Sequence, residues 1–143
     1  MEKESNHDVQ LQVGVKVLLK DKDDKFFLLH RSEKKYPNVV GRWDIPGGRI
    51  EPGTSLLKNL KREIMEETSL DLSGEPKLLA AQDILRVPGK HIVRLTYIGK
   101  ATGTVKLDTD ENDDYKWLTL NELKMVDELD QYLKELVDKN VLN

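Results

Sequence analysis

Apolar residues alternate with polar or small ones near the start of the chain. Val9, Leu11, Val13 and Val15 fall on one face, and Val17-Leu18-Leu19 then runs continuously apolar. A period of two predicts a strand over Val9–Leu19, half buried at first and more deeply buried later. Asp21-Lys22-Asp23-Asp24 reads as a turn, and Phe26-Phe27-Leu28-Leu29 as the returning strand of a hairpin, leading into His30 and Arg31. Ser32 to Gly41 is a polar loop, and Trp43 to Pro46 a short extended piece that feeds a glycine turn. From Ser55 to Thr68 the residues are good helix formers, and Leu57, Leu60 and Ile64 recur at helical spacing as one apolar stripe. Asp71-Leu72-Ser73-Gly74 has loop composition. Pro76–Leu85 is rich in aliphatics and reads as a strand, Arg86–Lys90 as a turn centred on Pro88-Gly89, and His91–Gly99 as a clearly alternating strand. Tyr115–Leu118 is expected as a short strand and Leu120–Met125 as a short helix. A longer helix over Asp127–Lys139 would bury Leu129, Tyr132, Leu133 and Leu136. Met1 to His7 is polar and expected to be a frayed tail. No repeat, linker or low-complexity segment interrupts the pattern, so residues 1–143 are expected to form a single domain.

Composition narrows the classes. The chain has 143 residues, with 23 basic against 26 acidic side chains and a net charge of −3. That balance gives no general attraction to nucleic acid or to an anionic membrane. No apolar stretch is long enough to span a bilayer and no signal-peptide pattern is present, so a cytoplasmic setting is expected. Cysteine is absent. Disulfides, thiol catalysis and zinc–thiolate sites are therefore excluded.

The candidate chemistry sits between residues 47 and 67. Glu63, Glu66 and Glu67 stand at i, i+3 and i+4, which places all three carboxylates on one face of a helix. Like charges at that spacing oppose the helix. A solvated face is one reading of such a run. The other is a site for a hard cation such as Mg²⁺, beside a turn of exposed backbone carbonyls. Oxygen ligands accept Mn²⁺ as well.

Gly48, five residues, Thr54, seven residues and then Arg62-Glu63-Ile64-Met65-Glu66-Glu67-Thr68-Ser69-Leu70 resembles the signature box of the Nudix hydrolases. The match falls on Gly48, Arg62, Glu63, Ile64, Glu66, Glu67 and Leu70, and the approach Gly41-Arg42-Trp43-Asp44-Ile45-Pro46-Gly47 is also similar. Two positions depart. Thr54 stands where the family has Glu, and Ser69 where it has Gly. Thr54 is expected to cap the helix instead, with Glu51 supplying the missing charge. Ser69 is expected to bear a left-handed backbone at a cost of roughly 1–2 kcal/mol.

The resemblance implies an α/β/α sandwich with a mixed β-sheet between helices. It also implies metal-dependent attack of water on a phosphorus atom. Glu63, Glu66 and Glu67 resemble the family's metal-binding glutamates, with the Gly47 carbonyl as a further ligand. Arg62 resembles the residue that orients a neighbouring glutamate. Glu111 corresponds to an acidic residue that family members use as an extra ligand or general base; a solvated acidic turn is the alternative, and Asp110 is the fallback. Arg31 and Arg42, with Gly48, are candidates for meeting the phosphates, and each arginine has a plain surface role as its alternative. Trp43 is expected to pack under the glycine turn in preference to stacking on a base. His30 and His91 read as structural, and Tyr97 as core.

The leading function is hydrolysis of a nucleoside triphosphate to the monophosphate and pyrophosphate. ADP-ribose or nucleotide-sugar cleavage is the rival within the enzyme class, and a non-catalytic nucleotide-binding domain the rival outside it. Dinucleoside polyphosphate hydrolases commonly carry Lys where Gly47 stands, and the isopentenyl isomerases need a cysteine. The expected partner is a small nucleotide, with no nucleic acid or membrane, on a monomer or a homodimer joined through a strand edge.

Overall fold

The computed structural model describes residues 8–142. The expected tail Met1–His7 lies outside them. Ten elements follow in order: β1 (Gln10–Lys20), β2 (Phe26–Arg31), β3 (Trp43–Asp44), β4 (Gly47–Arg49), α1 (Leu56–Thr68), β5 (Asp71–Ile84), β6 (Lys90–Thr102), β7 (Asn112–Leu118), α2 (Leu120–Leu123) and α3 (Gln131–Asp138). The strands form one sheet in the order β3-β2-β1-β6-β5, with β4 added on β1 and β7 on β2. β1 and β6 run parallel over their whole length and the other pairs are antiparallel, so the sheet is mixed.

The alternation along β1 and β2 splits the core in two. Val15, Val17 and Leu19 of β1, with Phe27 and Leu29 of β2, pack against Leu60 and Ile64 of α1. Leu18, Phe26 and Leu28 point to the opposite face and meet Leu123 of α2 with Leu133 and Val137 of α3. Each fully buried Leu or Phe contributes about 1.5–3 kcal/mol, which binds a helix layer to each face. The expected α/β/α sandwich is therefore the observed fold. Tyr97 lies in the first cluster and Trp43 in the second, as expected of core residues.

The helix that carries the carboxylates is capped by Ser55, not by the expected Thr54. Ser55 Oγ accepts from Lys58 N at 3.2 Å. Asn59, which has no exposed surface, does what the expected cap could not. Its Nδ2 donates to the Thr54 and Ser55 carbonyls, and its Oδ1 accepts from Glu51 N. One buried amide thus fastens the loop to α1. At the far end Ser69 is left-handed (φ 62°), and its N–H donates to Met65 O. Ser69→Gly is expected to raise the unfolding free energy by about 1 kcal/mol in urea titrations. A loss would show that the 3.3 Å bond from Ser69 Oγ to Lys106 O outweighs the strain.

Three boundaries differ from expectation. Asp71–Gly74 belongs to β5, because its backbone pairs with Lys100–Thr102 despite its loop composition; a register shift between Ser73 and Lys77 absorbs Gly74 (φ 74°). β7 begins at Asn112, ahead of Tyr115. The last helix starts at Gln131, since Glu128 is left-handed (φ 56°) and Leu129 pairs with Trp43. Asp130 caps that helix, accepting from Tyr132 N and Leu133 N at 3.0 Å.

Candidate active site

The Pro46-Gly47-Gly48 turn brings backbone onto the carboxylate helix; Gly47 is required there, and a side chain at Gly48 would displace the Glu63 carboxyl. Gly47 has φ 142°, and a Cβ at this position would lie 2.0 Å from Val15 O. A Cβ on Gly48 would come 2.9 Å from the Glu63 carboxyl. The close approach lets Gly47 N donate to Glu67 Oε1 at 2.9 Å. Arg62 gathers the other carboxylates, with contacts of 3.1 Å to Glu51, 3.2 Å to Glu63 and 3.2 Å to Glu66. Glu51 thus supplies the charge that Thr54 lacks.

A cavity of about 290 Å³ opens over this face. Gly47, Glu63, Glu66 and Glu67 line it together with Lys16, Arg31, Tyr36, Asp44, Asp108, Glu111 and Asn112. Lys16 is the direct cross-strand neighbour of Gly47. Burial pushes the Glu67 carboxyl up to about 7; nearby Glu63 adds to this, while Lys16 and the Gly47 N–H oppose it. Glu111 accepts from Lys35 Nζ and Tyr36 OH, and the Lys35 bond holds its carboxyl below the usual range. The Arg31 guanidinium lies 5.2 Å from the Tyr36 ring centre.

The structure brings together Gly47, Glu63, Glu66, Glu67, Glu111 and Arg31 around one cavity. Arg62 does not line it but contacts two of these carboxylates, Glu63 and Glu66. Asp110, the fallback, lines a separate hollow with Lys34 and Lys35. Arg42 departs from expectation. It is buried, and its guanidinium donates to the carbonyls of Arg31, Ser32 and Pro37, so it braces the loop and has no free face for phosphate. His30 pairs with Asp113 and His91 with Asp83, and neither histidine lines the cavity.

Sequence reasoning missed Lys16, Asp44, Tyr36 and Asn112. Lys16 left a signal, as a lone charge inside the apolar run Val15–Leu19. It lies 3.4 Å from Asp44 and donates to Ile45 O at 3.1 Å. Asp44 is also bound by Arg94 at 3.0 Å, and Arg94 reaches Asp130 at 3.2 Å. Burial alone would raise the Asp44 carboxyl, but Arg94 and Lys16 reverse this and hold it well below the usual carboxylate range.

As the side chains stand, no three acidic or histidine groups among the described residues converge on one point. Arg62 draws Glu63 and Glu66 while Gly47 N–H draws Glu67. The donor set nevertheless fits a hard divalent cation. It is all oxygen, and it includes a desolvated carboxyl beside a like charge that a cation would relieve.

Fold and site together define a mixed-sheet α/β sandwich whose carboxylate helix packs beside a glycine turn at the edge of one cavity. The NUDIX domain model matches residues 10–139, and the chain belongs to the NUDIX family, among its MutT-like members. The family generally uses divalent metals. A MutT protein from Methanosarcina mazei has a solved structure that superimposes with a TM-score of 0.77 at 25% identity, covering 92% of this chain and 93% of that one. A Bacillus subtilis protein named provisionally as an 8-oxo-dGTP diphosphatase is 27% identical over 113 residues, spanning 78% of this chain and 69% of its own length. The zebrafish m7GpppN-mRNA hydrolase NUDT17 is 42% identical over 67 residues, 46% of this chain. The match covers only 21% of that longer protein. Among the described residues no helix is long and apolar enough to cross a membrane.

Proposed function

We propose that the chain hydrolyses a nucleoside triphosphate to the monophosphate and pyrophosphate. One observation supports this reading: Glu63, Glu66 and Glu67 line a single cavity together with Lys16 and Arg31. Carboxylates to hold a divalent cation and cations to meet phosphate are what a metal-bound phosphate chain needs. The three glutamates and the Gly47 carbonyl would hold Mg²⁺ or Mn²⁺. Such an ion would supply a water of lowered pKa and neutralise phosphate charge. Arg62 fixes the orientation of Glu63 and Glu66 from behind. Lys16 and Arg31 offset the phosphate charge that remains. Glu111, kept ionised by Lys35 and Tyr36, accepts a proton from the attacking water. The name of the Bacillus relative supports a triphosphate, and within that class a damaged purine nucleotide.

The test is pyrophosphate and phosphate release with Mg²⁺ across nucleoside triphosphates, oxidised nucleotides, ADP-ribose and nucleotide sugars. Pyrophosphate from triphosphates alone is the expected result. Turnover confined to ADP-ribose or a nucleotide sugar would overturn the substrate class. Glu66→Gln should abolish turnover and leave the far-UV spectrum unchanged. Full activity in that variant would overturn the metal assignment.

A further inference from the structure

A second cavity of about 330 Å³ adjoins the first and shares Lys16, Arg31, Asp44 and Gly47 with it. Its charges are unevenly matched. Its two carboxylates are both satisfied: Asp44 by Arg94 and Lys16, Asp130 by Arg94. Its other arginines are not. Arg49 bonds to the Gln12 side chain and Arg86 to the Gln131 side chain at 3.1 Å. Arg31 lies over the Tyr36 ring. None of these three has a carboxylate partner among the described residues, although 26 acidic side chains were available to the fold. Arg94, with 4% of its side chain exposed, is already committed to Asp44 and Asp130. Ile84, Val87, Ile92 and Tyr132 supply apolar wall between the charges.

An apolar slot with unneutralised arginines suits a sugar or base that carries its own anion. Guanidinium groups bind phosphate through paired N–H donors, and a site without competing carboxylates keeps that attraction. We propose that this second cavity receives the nucleoside end of the substrate, and that Arg49 and Arg86 there bind a second phosphate, esterified to the ribose away from the anhydride that is cleaved. The proposal rests on the hydrolytic reading of the first cavity and deepens it, since it selects nucleotides phosphorylated at two positions over ordinary ones.

The test is calorimetric binding to the metal-free protein at low ionic strength. The ligands are AMP and GMP, and the 2′,5′- and 3′,5′-bisphosphates of adenosine and guanosine. At least one bisphosphate should bind about tenfold more tightly than its monophosphate, and the gain should shrink as salt is added. In Arg86→Gln and in Arg49→Gln the ratio should fall toward one, with partial recovery in Arg86→Lys. Bisphosphates that bind no better than the monophosphates overturn the proposal, as does a gain that survives both glutamine variants. Because the readout needs no catalysis, it separates from the reaction itself. A bisphosphate preference with no triphosphate turnover would remove the proposed reaction and keep the subsite. Turnover of triphosphates without the preference would do the reverse.

Discussion

Glu67→Gln removes turnover, by about a thousandfold or more, and at the same time makes the metal-free protein more stable above neutral pH. The two effects have one cause. In the folded protein burial raises the Glu67 carboxyl from 4.5 to about 7. A group raised in this way favours folding fully below its unfolded value and loses that contribution as the pH climbs through the folded value. Ionised Glu67 therefore destabilises the metal-free fold above pH 7. The interval from 4.5 to about 7 corresponds to about 3 kcal/mol at most. Glutamine has the same shape, keeps an oxygen for the Gly47 N–H and carries no charge. In urea titrations with a chelator, the variant should match the wild type near pH 4 and exceed it by about 2–3 kcal/mol at pH 8. Added Mg²⁺ should stabilise the wild type and leave the variant nearly unmoved. Equal stability at pH 8 would show that Glu67 is not desolvated.

The second large effect lies beneath the cavities. Arg94→Met leaves Asp44 with Lys16 and takes from Asp130 the one cation within 4 Å of it among the described residues. Removing one partner from a buried ionic cluster costs about 3–5 kcal/mol, because the remaining charges stay desolvated. For a chain of this length, that lowers the melting temperature by about 10 °C. The deficit has a pH signature. Asp44, depressed in the wild type, contributes stability above its ordinary value of 3.8 and loses it as the pH falls through the folded value. The gap between variant and wild type should be widest near neutrality and close in acid. A gap that does not vary with pH would mean the loss is one of packing.

Most of the fold was legible because its two periodicities agree with their burial. Val15, Val17 and Leu19 against Leu18 is a strand signal, and Leu60 with Ile64 a helix signal; both survive folding unchanged. The carboxylates were legible for the same reason, since Glu63, Glu66 and Glu67 lie within one turn of one helix. Contacts between distant segments were not. Nothing local in Asp44, Arg94 or Asp130 announces that β3, β6 and the cap of α3 will meet. Tyr36 acquires its role only when its loop folds against Glu111. Arg42 misled because its proximity to the glycine turn in sequence says nothing about where a guanidinium points; here it satisfies loop carbonyls. Asp71–Gly74 misled because turn-forming residues can be held in a strand by a long partner such as β6.

The shifted register of β5 has a consequence for how copies of this protein behave when crowded. β5 ends the sheet, so among the described residues one side of its backbone faces no other strand. A straight, open border of that length would be a template on which identical chains could stack into fibres. Two irregularities interrupt it, between Ser73 and Lys77 and between Leu78 and Ala80, and Pro76 has no N–H to offer. Gln82 turns its amide to the carbonyl of Tyr132 instead of outward. The kinks divide the row of donors and acceptors, and the longest uninterrupted run left is Ala80–Ile84, so a second copy that adds to this border would pair there and not along the whole strand.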